Sequence, residues 1–391
     1  MTTGRIPPLG EAEAVARGAE VRIHPNLARL EVYRVLLHHP PLAKSVSNLL
    51  VMLLYKGRLL DERLRELAIM RLGWATAAVY EWTQHWRIAR DLGMSEAEIV
   101  GVRDWRHSAV YGEAEQAVLA AVDETLATGA LSAETARRCL AAVGGVPQLL
   151  ELVAAIGNWR LFSQLLRTLK IPLEAGMEPW PPDGLVPPAP CFGVRGGAFG
   201  HEGVDEPPRI PPLSPDEAAA VARANGIDEA RGRRGPYRTL LQHPRLALAA
   251  DGLLQRLLDQ GVLAPRVREL IIMRIAWATG SAVEWARHWP YCQRLGIPPE
   301  VVVGLRDWQS ADVFLPAERA ALAATDETLA TGTVSDGNWA ELEPHFPAIP
   351  EQLEIVLAIG NWRMYSQLLR SAGVPLEPTD AVWAPDGVGP D

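Results

Sequence analysis

Cysteine is scarce: the 391-residue chain holds three, Cys139, Cys191 and Cys292, with no Cys-x-x-Cys pair. That spacing offers neither a disulfide framework nor a thiolate zinc site, and it excludes a dithiol redox centre within one chain. Positive charge is also short. Against 47 Asp and Glu stand 38 Lys and Arg, a formal charge of -9 that would repel a nucleic acid. No apolar run reaches the roughly 18 residues of a membrane span, and Met1 to Pro8 lacks the charged start and apolar middle of a secretory signal. A cytoplasmic protein with no nucleic-acid and no membrane partner is therefore expected. Strand-like alternation with hairpin turns is missing throughout. Phe and Tyr number only 5 and 7, whereas Trp reaches 13.

The tryptophans expose a repeat. Trp74, Trp82, Trp86, Trp105, Trp159 and Trp180 recur at Trp277, Trp285, Trp289, Trp308, Trp362 and Trp383, leaving Trp339 alone. Arg5-Ile-Pro-Pro-Leu returns at Arg209, His39-Pro40 at His243-Pro244, Arg65-Glu66-Leu67 at Arg268-Glu269-Leu270, and Gly157-Asn158-Trp159-Arg160 at Gly360-Asn361-Trp362-Arg363. Units this long and this few are two copies of one domain and not a solenoid. The expected organisation is one unit over 1–184, a Pro/Gly-rich linker over 185–208 and a second unit over 209–391.

Within a unit the periodicity is helical. Leu64, Leu67, Ile69, Met70 and Leu72 form a stripe close to i, i+3, i+4 over Glu62 to Leu72. Val79 to Leu92 reads as the next helix, after a turn at Thr76 to Ala78 (Thr279 to Ser281 in the second copy). Ser95 would cap Glu96 to Val102, Glu113 to Thr128 would stop at Gly129, and Ser132 would open Ala133 to Val143. Gln148 to Leu169 is a long apolar helix ending near Pro172. The fold expected is all-α, two tandem helical domains forming a pseudo-dimer.

Three ionisable residues keep the same spacing in both copies: Glu66, Glu81 and His85, then Glu269, Glu284 and His288. The Glu81–His85 interval is one helical turn, and an antiparallel helix pair would bring Glu66 to the imidazole. Taken alone, an i, i+4 Glu–His pair is equally the pattern of a surface ion pair. His39 and His243, each before a proline, mark helix ends, and Cys139 and Cys292 fit as packing residues. No second His completes a ligand set, so no metal is expected.

The Arg-Glu-Leu-x-Ile-Met-Arg helix, the Glu-Trp-x-x-His segment with Leu-Gly after it, and the Asp-Glu-Thr-Leu helix resemble the carboxymuconolactone decarboxylase and alkylhydroperoxidase D-like superfamily. The peroxidase branch places a Glu, two cysteines and a His at relative positions 0, 12, 15 and 19. Here positions 12 and 15 hold Ala78 and Glu81, or Ser281 and Glu284, so the resemblance points away from thiol peroxidase chemistry and towards the decarboxylase branch. It implies a cofactor-free enzyme acting on a small lactone or carboxylic acid, and helix-pair assembly, hence a trimer of pseudo-dimers as the homo-oligomer. His85 and His288 would donate the proton that a decarboxylated dienolate needs, oriented by Glu66 and Glu269, with Glu81 and Glu284 shuttling protons or touching substrate. Arg71 and Arg274, or Arg160 and Arg363, are candidate clamps for the substrate carboxylate. Trp82, Trp159, Trp285 and Trp362 are candidate walls of a dry pocket. Lactone opening, isomerisation and a non-catalytic binding or assembly module are the alternatives. Tyr80 and Gln84 face Val283 and Arg287 in the other copy, which leaves the two pockets free to bind different molecules.

Overall fold

A computed structural model describes residues 4–55, 57–190, 192–194 and 207–390, and among these residues there is no strand. The first copy runs α1 (Glu11–Glu20), α2 (Pro25–Ala28), α3 (Glu31–Leu36), α4 (Pro40–Leu54), α5 (Glu62–Ala75), α6 (Val79–Asp91), α7 (Glu96–Gly101), α8 (Glu113–Thr128), α9 (Ala133–Val143) and α10 (Val146–Leu169). The second repeats the order as α11 (Pro215–Ala224), α12 (Glu229–Gly232), α13 (Gly235–Leu240), α14 (Pro244–Asp259), α15 (Pro265–Thr279), α16 (Ala282–Arg294), α17 (Pro299–Gly304), α18 (Pro316–Thr331), α19 (Asp336–Leu342) and α20 (Ile349–Ala372). The fold is all-α and duplicated, as the repeat implies.

Local chemistry sets the boundaries around the site. Asp61 caps α5 by accepting from the Arg63 and Leu64 amides, each at 3.0 Å. The chain then reverses through Ala77, whose φ of 53° is left-handed; the second copy puts Gly280 at that position with φ 71°. Ser95 and Glu98 form a full capping box on α7, and Gly129, in the left-handed region, ends α8. Helix α10 starts at Val146, two residues before the expected Gln148, because Pro147 fits the first turn, where a missing N–H costs nothing.

Helices α10 and α20 cross at the centre of the molecule. Both are buried on every side, as their apolar sequence requires. Close approach depends on glycine: a Cβ on Gly157 would stand 2.5 Å from Met364 Cγ, and one on Gly360 2.7 Å from Leu161 Cγ. Gln164 donates to the Val356 carbonyl at 2.9 Å and Gln367 returns the bond to Val153 at 3.0 Å, so the crossing has pseudo-twofold symmetry. Helix α4 packs against α14 about the same axis. The two copies thus pair within one chain. Of the expected linker, Cys191 and residues 195–206 lie outside the described residues; Gly193 donates to the Leu126 carbonyl at 3.0 Å near the end of α8. No single helix among the described residues is long and apolar enough to cross a membrane.

Candidate active site

The α5–α6 pair brings the spaced residues together. Glu66, fully buried on α5, accepts from His85 Nδ1 on α6 at 2.7 Å; Glu269 and His288 repeat the contact at 2.7 Å. Glu66 is also gripped by its neighbour Arg65, whose Nε and guanidinium N–H reach Oε1 at 3.2 and 3.0 Å; the matching Arg268 contact is 3.5 Å. From α10, Trp159 donates its indole N–H to His85 Nε2 at 2.9 Å, and from α20 Trp362 does so to His288 at 3.3 Å. The imidazole is therefore held at both nitrogens, with the neutral ring protonated on Nδ1. Glu81 and His85, the i, i+4 pair, are buried as well, so theirs is no surface ion pair.

The third residue differs between copies. Glu81 Oε2 stands 3.7 Å from His85 Nε2. Glu284 instead turns to α20, where Ser366 donates to its Oε2, and its buried Oε1 has no hydrogen-bond partner. Burial pushes Glu81 up to about 7, aided by the Glu66 charge and opposed by His85. Burial pushes Glu284 further, to about 8, against the hydrogen bond from Ser366. For Glu66 burial works upward too, but His85 and Arg65 outweigh it and hold the carboxyl below its ordinary value. At His85 burial disfavours the cation, yet Glu66 and Glu81 carry its pKa above normal.

Beside the second-copy site lies a cavity of about 440 Å³ whose wall includes Glu284, His288, Trp362, Tyr237 and Tyr365. Glu269 stands behind the imidazole. Among the described residues no cluster of His, Cys, Asp or Glu side chains is placed to hold a metal ion.

Other candidates lie elsewhere. Arg71 and Arg274 do not line this cavity. Arg274 grips Asp326 with two N–H groups at 2.7 and 2.9 Å and donates to the Leu305 carbonyl at 2.8 Å, and Arg71 pairs with Asp123 at 2.6 Å in the same way. They brace the stretch after α7 and α17. Trp82 and Trp285 are core: their indoles donate to Pro181 and Ala384 carbonyls at 2.8 Å, pinning each copy's C-terminal tail. Arg160 and Arg363 are buried near the crossing, where they donate to Thr125 and Thr328 carbonyls in the last turns of α8 and α18. Burial lowers the pKa of both, Arg160 to about 10. Arg65, Ser366 and the cavity arginines are the residues that spacing missed. Arg65 could have been found from its recurrence beside Glu66, whereas Arg231, Arg234, Arg287 and Arg294 have no arginine counterpart in the first copy and leave no repeat signal.

The model of the carboxymuconolactone decarboxylase family matches twice, over residues 40–124 and 244–327. One stretch in each copy is thus similar to this family, consistent with a tandem duplication. Each decarboxylase-family match runs from the first residue of α4 or α14 into α8 or α18, so it takes in the whole Glu–Glu–His set. A crystal structure of an Agrobacterium tumefaciens protein of unknown function, ascribed to AhpD-type antioxidant defence, is 23% identical. It covers 33% of this chain and 90% of its own at a TM-score of 0.31, a likeness that carries no argument. No curated protein matches the chain.

Proposed function

We propose that the chain is a cofactor-independent acid–base enzyme acting on a small lactone or cyclic carboxylic acid, with decarboxylation as its reaction. One observation carries this: Glu284, 2% exposed, lines a cavity, keeps one buried oxygen without a partner and has its pKa raised to about 8. At neutral pH such a carboxyl keeps its proton and can donate it. When the C–C bond to the carboxylate breaks, the electron pair delocalises into a conjugated carbonyl and CO2 leaves. The dienolate then takes a proton from Glu284.

The family resemblance gives that proton to His, but the hydrogen bonds favour Glu284. With Trp362 N–H directed at Nε2, the neutral His288 ring has its one proton on Nδ1, facing Glu269. His288 stays bonded to Glu269 and Trp362, and Glu284 regains its proton from water entering through the cavity between turnovers.

Consumption of 4-carboxymuconolactone and release of CO2 by the purified protein test the reading. Wild type should turn over, with a rate that falls as pH rises through about 8, where Glu284 loses its proton. Glu284→Gln should cut turnover about a hundredfold or more. A wild-type protein inert towards lactone acids would leave the cavity a binding site only.

A further inference from the structure

The two copies differ most where the second-copy cavity opens. Four arginines line it: Arg231, Arg234, Arg287 and Arg294. Two are neutralised in place. Arg231 spans both oxygens of Asp251 at 3.0 and 3.1 Å, and Arg287 reaches Glu377 at 3.0 Å and Asp380 at 3.4 Å. The other two are exposed, and among the described residues neither has an ion-pair partner; Arg294 lies over the Tyr291 ring, 4.1 Å from its centroid. Of the lining acids, Asp380 pairs with Arg287 and Glu284 is kept neutral by burial, which leaves Asp259 and Asp228, the latter also capping the Arg231 amide at 2.8 Å, beside two guanidiniums with no ion-pair partner among the described residues. Glu284 also lines the cavity, and its Oε1 is buried without a hydrogen-bond partner.

The first copy has none of this. Leu27, Leu30, Gln84 and Asp91 stand at the positions of the four arginines, and Gln84 is bonded to Glu174. Arg87, at the position of Pro290, has Asp91 one helical turn away, so charge there balances.

We propose that the two sites have diverged, so that the second-copy cavity alone binds an organic anion, its charged group taken by Arg234 and Arg294 at the mouth and an acceptor oxygen at its other end by Glu284. Charge-assisted bonds from guanidinium fix the anion, and the protonated carboxyl supplies the donor that an acceptor oxygen requires. The aromatic side chains between them suit a flat ring. This rests on the reading of Glu284 as a proton-bearing group, and it names the class of molecule and the half of the chain that takes it.

Calorimetric titration of the full chain with 4-acetylbenzoate, a stable ring carrying one anion and one carbonyl, tests the assignment. One molecule should bind per chain. Arg234→Gln with Arg294→Gln should weaken binding at least about tenfold, as should replacing the probe with neutral 4-acetylbenzamide. Arg137→Gln, which removes an exposed cation paired with Glu134, should change nothing. Two molecules per chain, no binding by wild type, or equal binding by the double variant would overturn the division. Anion binding without lactone turnover would instead sink the decarboxylase reading and leave the division standing. Turnover with one anion per chain but indifferent to both arginines would do the reverse.

Discussion

An indole N–H donates and never accepts, so Trp159 forces His85 Nε2, 2.9 Å away, to offer its lone pair. Glu66 and Glu81 pull the other way, drawing a proton onto the same ring. Trp159→Phe keeps the ring and removes only the donor, a loss of about 1 kcal/mol to the neutral form. Followed by NMR of the imidazole, His85 should titrate at higher pH in this variant; an unchanged or lower titration would mean that the indole has no hold on Nε2. The Glu–Glu–His set was legible because its intervals put three groups on consecutive helices. The partners around it were not. Trp159 stood out as a tryptophan, but a candidate wall and a hydrogen-bond donor look alike in sequence, and Ser366 reaches Glu284 from a helix 82 residues on.

Among the elements, α10 and α20 show where pattern fails. Their apolar runs announced long buried helices, but a helix hydrophobic all round offers no face from which to read its partner. Gly157 and Gly360 marked nothing in sequence beyond the repeated Gly-Asn-Trp-Arg, yet each is where the opposite helix comes closest. The two contacts are unequal in give. Gly157 meets the unbranched Met364, which can rotate aside, and Gly360 meets the branched Leu161, packed at the crossing. Gly360→Ala should therefore cost about 1–3 kcal/mol in urea unfolding and Gly157→Ala distinctly less. Equal costs would show that backbone separation, and not side-chain freedom, sets the tolerance.

At the scale of the whole molecule, the duplication puts a pseudo-twofold interface inside one chain. An assembly of three such chains, a trimer of pseudo-dimers, is the homo-oligomer we propose, and light scattering should return about three times 42.7 kDa; a single-chain mass would remove it. The internal interface is closed by two matched devices. Glu151 accepts from the Leu59 amide of its own copy at 2.6 Å and from His243 of the other at 3.0 Å, and Glu354 accepts from the Val262 and Leu263 amides at 2.7 Å and from His39 at 3.0 Å. The histidines that sequence marked only as helix ends thus tie the copies together. Burial tends to raise the Glu354 pKa, but His39 and the two amides outweigh it and hold the carboxyl below its ordinary 4.5. A carboxyl so lowered lends stability that is present above its unfolded value and lost as pH falls through its folded one. Glu354→Gln should accordingly destabilise the chain by about 1–3 kcal/mol at pH 7, the cost of a buried charged acceptor. That gap should narrow in urea unfolding once pH drops below 4.5, where wild type protonates the same group. A gap constant from pH 7 to pH 3 would show that the interface depends on the shape of Glu354 and not on its charge.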